Sequence, residues 1–197
     1  MSDLLLGDDG RKRCWWCGTD PLYTAYHDEE WGRFAPDDRR QFEFLVLESA
    51  QAGLSWITIL RKRQAYRDAY AGFDPAVVAG WGDAEVSKLL ANPGIVRNRR
   101  KIEASIGNAR RFLEISAEHG SFAAWLLGYY GGRPRANHWE RKEDIPATTP
   151  EARAIAGDMK ARGFTFFGPV IAYSHLQATG IVDDHLAGCW TRHTGNA

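Results

Sequence analysis

The stretch ANPGIVRNRRKIEASIGNARRFLEISAEHG, residues 91–120, decides the fold. Asn98 is a helix-capping residue, and behind it Ile102, Ile106, Ala109 and Leu113 recur near the helical period. The spacing predicts a long amphipathic helix from Asn98 to Gly120 with one apolar stripe. Ahead of it, Asn92-Pro93-Gly94 breaks the chain after a shorter apolar pattern, Val86, Leu89 and Leu90, opened by Asp83. Two helices joined by a short glycine-containing turn leave backbone N–H groups and a helix N-terminus free to meet a phosphate. Arg97, Arg99 and Lys101 add charge at that point. A plain helix connector fits the same residues.

Outward from this segment the helix signals continue. Asp37-Asp38 caps a helix through QFEFLVLESAQA, stopped by Gly53, and another runs from Thr58 to Tyr70. Asp74-Pro75, Thr149-Pro150 and Gly168-Pro169 each place a proline at a first helical position. Gly163 and Gly180 end the last two helices. Residues 131–147 read as irregular and exposed, and β-branched alternation is almost absent. The reading is all-α, with no convincing sheet. Residues 1–12 are expected to form a loose leader, 13–190 a single domain of two closely packed helical lobes, and 191–197 a tail.

The chain has 197 residues, 44% apolar and 25% charged, which is the balance of a globular domain. No apolar run reaches membrane-spanning length, and Leu4-Leu5-Leu6 is far short of a signal-peptide core. A cytoplasmic monomer is expected. With 25 basic and 25 acidic residues the net charge is zero, which counts mildly against nucleic acid as a partner. Basic residues nevertheless cluster at 11–13, 61–63, 97–101 and 110–111, and a local field counts for more than a sum. Eight Trp, seven Tyr and nine Phe give either stacking surfaces or a large aromatic core.

Three cysteines in a reducing compartment argue for metal or spare thiols. Cys14 and His27 lie near the start, and His185 and Cys189 near the end in H-x-x-x-C spacing. Two Cys and two His make a closed tetrahedral zinc set with no open position. Cys17, in C-x-x-C with Cys14, competes for the same role, and spacing cannot choose between them. Glu48 follows Phe44-Leu45-Val46-Leu47, so its carboxyl group is either at the surface or in an apolar pocket with altered proton affinity. Gly53-Leu54 precedes Trp56 in a turn, where Leu54 is a wedge for a base stack or an ordinary core residue.

Four runs, in order, carry a resemblance across residues 13–190. They are C-x-W-x-x-x-D-P-L-Y-x-x-Y-H-D-x-E-W-G (Cys14 to Gly32), L-E-x-x-Q-A-G-L-S-W (Leu47 to Trp56), G-I-V-R-x-R-x-K-I (Gly94 to Ile102) and V-x-D-H-x-x-G-C (Val182 to Cys189). Together they resemble the constitutive 3-methyladenine DNA glycosylase I family, of the helix-hairpin-helix glycosylase superfamily. The usual second glycine of that hairpin is missing. The resemblance implies one structural zinc on Cys14, His27, His185 and Cys189, with Cys17 spare. It makes Glu48, Tyr26 and Trp56 the base pocket, with Trp16 and Tyr23 as walls. Gly53, Leu54, Gly94, Ile95, Arg97, Arg99 and Lys101 become the DNA-facing residues. The implied activity is excision of 3-methyladenine from alkylated double-stranded DNA. Asp183 stands where other members of the superfamily keep a catalytic aspartate; it either steadies the developing sugar cation or caps the final turn. A non-catalytic damage sensor and a zinc hydrolase are the rival readings, the latter requiring an open ligand position.

Overall fold

The structure, a computed structural model, describes residues 3–192. Nine α-helices appear among the described residues: α1 (Pro21–Glu29), α2 (Asp38–Gln51), α3 (Trp56–Ala69), α4 (Pro75–Ala79), α5 (Asp83–Ala91), α6 (Arg99–His119), α7 (Phe122–Gly128), α8 (Pro150–Ala161) and α9 (Pro169–Ala178). The caps are those the sequence carries. Asp37, Asp74, Asn98 and Thr149 each accept from a backbone N–H of the first turn, and Gly120 closes α6 in the left-handed region at φ 85°. Helix α3 starts two residues earlier than Thr58, because Ser55 is its N-cap. Helices α1 and α7 were not foreseen. Asp20 caps α1 ahead of Pro21, and Ser121 caps α7.

Helix α6 is the central post. Its buried stripe is Ile102, Ile106, Ala109, Phe112 and Ile115, with Leu113 turned half away. One apolar core runs from this stripe through Phe42, Leu45 and Val46 of α2, Ile59 and Tyr66 of α3 and Phe122 of α7, to Ile155 and Met159 of α8 and Leu176 of α9. At about 25 cal/mol per Å² of apolar surface, burial on this scale is the main term holding the helices together.

Two short sheets correct the all-helical expectation in detail, though the fold stays mostly helical. Strand β1 (Leu4–Leu6) pairs antiparallel with β2 (Lys12–Cys14), and β3 (Arg135–Ala136) pairs parallel with β4 (Val182–Asp183). Residues 3–12 are therefore not a loose leader. Their strand partner is the backbone beside Cys14, and Arg13 clasps both Asp9 and Asp28. Trp190 N–H donates to the Lys12 carbonyl at 2.9 Å, which closes the two chain ends on each other. Of the expected tail, Thr191 is buried, and residues 193–197 lie outside the described residues. The stretch 131–147 is tied down as well. Asn137 Nδ2 and Trp139 Nε1 both donate to buried Asp184 at 2.7 Å.

Candidate functional site

Helices α1, α2, α3 and α9 meet around a cavity of about 320 Å³, roughly the lower bound for a small-molecule site. Its aromatic wall is built by sequence-adjacent residues. Trp16 lies on the 3₁₀ turn after β2, Tyr23 and Tyr26 on one face of α1, and Trp31 just past its end. Trp56, the first residue of α3, faces them. The ring centroids of Tyr26 and Trp56 are 5.7 Å apart, and Trp16 packs against Tyr23 at 5.2 Å and Trp31 at 4.9 Å. Phe44 backs Trp56 in a stacked arrangement, with the Arg40 and Arg63 guanidinium groups over its ring.

Glu48 lines this cavity from α2 and is only 3% exposed. Its Oε2 lies 2.9 Å from His175 Nδ1, while Oε1 is buried with no partner among the described residues. Burial pushes the Glu48 carboxyl group up from its ordinary range, and the His175 ring beside it pulls the other way. Trp56 Nε1 is a second buried polar atom without a partner. An unpaired acceptor and an unpaired donor in one aromatic cavity leave a ligand with a polar edge two places to bond. Burial raises Tyr26 well above the usual phenol range, so its hydroxyl stays protonated.

Behind the pocket, Cys14, His27 and Cys189 bring their ligand atoms within 4.8 Å of one another, all buried. Each histidine near them is oriented by a carboxylate: His27 Nδ1 meets Asp28 Oδ1 at 2.8 Å, and His185 Nδ1 meets Asp183 Oδ1 at 2.7 Å. His27 Nε2 then meets the Cys14 N–H at 3.3 Å and Cys189 Sγ at 3.4 Å, and a carboxylate on the far nitrogen of each ring is the arrangement found around metal-ligating histidines. His185 lies outside the three-residue cluster itself, but its ring is 4.8 Å from that of His27 and its Nε2 is buried and unpaired. Cys17 is excluded. It stands outside the three-residue cluster, and its thiol donates to the Cys14 carbonyl at 3.2 Å. Asp183 also accepts from the His185 N–H at 3.1 Å. It is absent from the cavity lining.

The cluster and the pocket share walls. Trp16 packs on His27 at 5.1 Å and Trp31 on His185 at 4.6 Å. Sequence reasoning did not commit to Trp31 as a wall, and it missed Gln51, Tyr173, Ser174 and Gln177, which also line the cavity. The last three sit at i, i+1 and i+4 of α9, a helix apolar enough to read as core alone.

The expected DNA-facing residues lie on two turns and on the first turn of α6. Leu54 is 42% exposed beside Gly53, which is held at φ 84°. In the hairpin Arg97, Arg99 and Arg100 are exposed, while the Ile95 side chain is buried and serves packing. Arg99 bonds Glu103 at 3.2 Å. Lys101 donates to the carbonyl groups of Ala50 and Ala52, which commits two of its three donors inside the chain. A β-carbon at Gly94 would fall 2.7 Å from Ala65 Cβ, so this glycine is set by contact with α3.

An aromatic cavity with one buried carboxyl group, in a helical fold that also presents a hairpin of exposed arginines, is what a protein of the DNA glycosylase class needs to receive a nucleobase. Comparison with known proteins carries this further. The methyladenine glycosylase family matches residues 16–193. DNA-3-methyladenine glycosylase 1 of Escherichia coli (strain K12) is 42% identical over 178 residues, 90% of this chain and 95% of its own. A crystal structure of 3-methyladenine DNA glycosylase I superposes with TM-score 0.88 at 45% identity, covering 92% of this chain and all of the other. A variant of a 3-methyladenine DNA glycosylase I, in complex with 3-methyladenine, superposes with TM-score 0.87 at 38% identity, over 90% of this chain and 95% of its own. The chain belongs to the methyladenine glycosylase family.

Proposed function

We propose that Glu48 is the recognising carboxyl group, and Tyr26 and Trp56 the stacking faces, of a pocket that receives 3-methyladenine flipped out of duplex DNA. The chain is a DNA-3-methyladenine glycosylase of base-excision repair, which sets aside the sensor and zinc-hydrolase readings. One observation carries the assignment of residues: the buried, unpartnered Oε1 of Glu48 in a cavity walled by Trp16, Tyr23, Tyr26, Trp31 and Trp56.

N3-methylation leaves positive charge on the adenine ring, and the base departs from deoxyribose as a neutral molecule. The bond is already activated, so the site has little proton transfer to perform. Its work is extraction and recognition. Flipping costs a few kcal/mol, and base–aromatic stacking returns about 1–3 kcal/mol per contact. A cationic ring over a desolvated aromatic face gains about 2 kcal/mol more. Glu48 accepts from the exocyclic amino group of adenine; guanine presents an oxygen at that position and is repelled. The base leaves with the electron pair of the glycosidic bond, water forms the new bond to the sugar carbon and gives up one proton to solvent, and the neutral free base is the product.

Cys14, His27, His185 and Cys189 fit one structural zinc. Two thiols and two imidazoles whose Nδ1 atoms are already taken form a closed donor set, and the orphaned His185 Nε2 is the atom such an ion would satisfy. It would staple the ends and hold Trp16 and Trp31 as pocket walls, with no part in bond cleavage. Exposed Leu54 is placed to fill the gap left by the flipped base, and Arg97 and Arg100 to meet phosphates on either side. The chain works as a monomer on double-stranded DNA in the cytoplasm, where its three unpaired cysteines stay reduced. Incubation with methylated DNA tests the assignment. The wild-type chain releases 3-methyladenine and Glu48→Gln does not; equal release by both overturns the role of Glu48.

A further inference from the structure

Glu48 does not stand alone. Gln41, two helical turns earlier on α2, and His175, on α9, form a buried chain with it. Gln41 Nε2 donates to the Ala35 carbonyl at 2.7 Å, Gln41 Oε1 lies 2.8 Å from His175 Nε2, and His175 Nδ1 lies 2.9 Å from Glu48 Oε2. All three side chains are buried, and the Phe122 and Phe167 rings pack near-perpendicular to the imidazole, with centroids 6.1 and 5.6 Å away.

The direction of this chain follows from its far end. A peptide carbonyl only accepts, so the Gln41 amide nitrogen must face Ala35 and the Gln41 oxygen must face the imidazole. His175 Nε2 therefore carries a hydrogen. At the other nitrogen two arrangements satisfy both atoms: the imidazole donates to a carboxylate, or a neutral imidazole accepts from a carboxylic acid. In both, the single proton lies between Nδ1 and Oε2. A neutral imidazole facing an ionised Glu48 would set two lone pairs against each other at 2.9 Å. In either permitted arrangement Oε1 carries no hydrogen.

We propose that Gln41 and His175 are specificity-setting positioning residues: by pinning the shared proton to the Oε2 side, they keep Glu48 Oε1 an acceptor, so the pocket selects the amino group of adenine against the carbonyl of guanine. This rests on Glu48 as the base-reading residue and deepens that assignment. Without His175 a buried carboxylic acid is free to carry its proton on either oxygen. Oε1 then becomes a donor that suits guanine as well as an acceptor that suits adenine.

The test compares binding of free 3-methyladenine and free 3-methylguanine to wild type, Glu48→Gln, His175→Leu, His175→Asn and Gln41→Leu, with imidazole nitrogen shifts read by NMR. Wild type should show a hydrogen on His175 Nε2. His175→Leu should lose about tenfold in the adenine-to-guanine ratio, the worth of one hydrogen bond. Gln41→Leu should change the Nε2 signal and lower the ratio by less. If His175→Leu fails to fold, His175→Asn serves in its place, since an amide there fills part of the space and cannot exchange a proton with Glu48. A bare Nε2 in wild type overturns the proposal, and so does an unchanged ratio in the folded His175 variants. Loss of base binding by Glu48→Gln beside an unchanged ratio in the His175 variants sinks the relay alone. Full base binding by Glu48→Gln sinks the base-reading role of Glu48 itself, and the relay with it.

Discussion

Lys101 Nζ lies 2.7 Å from the Ala52 carbonyl oxygen, so the first turn of α6 grips the end of α2 at the turn that carries Leu54. The two surfaces expected to meet DNA, hairpin and wedge, are thereby locked to each other. Lys101 is a brace between them, whereas Arg97 and Arg100 carry free charge at the surface. Lys101→Met should cost about 1 kcal/mol of stability and weaken DNA binding with the salt dependence unchanged. Arg97→Ala or Arg100→Ala should instead reduce the slope of log K against log salt by about one. Affinities measured over a salt series separate the two. A slope lowered by Lys101→Met would put its ammonium on a phosphate.

Gly94 gives a different kind of hairpin prediction. Its close approach to Ala65 means that Gly94→Ala pushes the turn away from α3, and every DNA is bound less tightly regardless of sequence. Free 3-methyladenine binding should hold, because Glu48, Tyr26 and Trp56 stand on other helices. Adding Ala65→Gly should restore the affinity. Failure of that rescue would show that Gly94 is needed for approach of the phosphate, and not for packing on α3.

Glu48→Gln should abolish base recognition and yet fold well. Burial raises the Glu48 carboxyl group, so the wild-type protein loses stability as pH rises through that raised value. Glutamine has no such loss. The variant should melt at or above the wild-type temperature at pH 8, with the gap narrowing toward pH 5. Melting curves over that range check the sign, and a gap that widens at low pH would show the carboxylate to be stabilised by its surroundings.

The buried Cys–His cluster, as proposed above, predicts one zinc per chain. Cys189→Ser should lose the ion and much stability, since structural zinc contributes about 10 kcal/mol or more to small folds. Cys17→Ser should be close to neutral, because a hydroxyl also donates to the Cys14 carbonyl. Chelation should weaken free-base binding too, through Trp16 and Trp31 on the histidine rings. Elemental analysis beside base titration reads both effects; no metal, or equal damage from the two substitutions, contradicts the assignment.

Much of this was legible in the sequence because it is local. Asn98 before an apolar stripe, Asp74-Pro75 and Thr149-Pro150 each specify a helix start through the bonds one residue makes with its own first turn, and the structure keeps all three. The resemblance carried by the ordered motifs from Cys14 to Cys189 implies that Glu48, Tyr26 and Trp56 share one pocket, and all three line the cavity. What the chain could not announce were contacts between residues far apart. Leu4–Leu6 looked like a leader because its strand partner is short and its anchor is the closed end of the fold. For Lys101 a sequence shows the charge and hides the two carbonyls it meets. His175 and Gln41 looked like core residues on unremarkable helices. Only the packing of α9 on α2 puts an imidazole against Glu48, and a buried carboxyl group takes its proton affinity and its free oxygen from whatever the tertiary fold sets beside it.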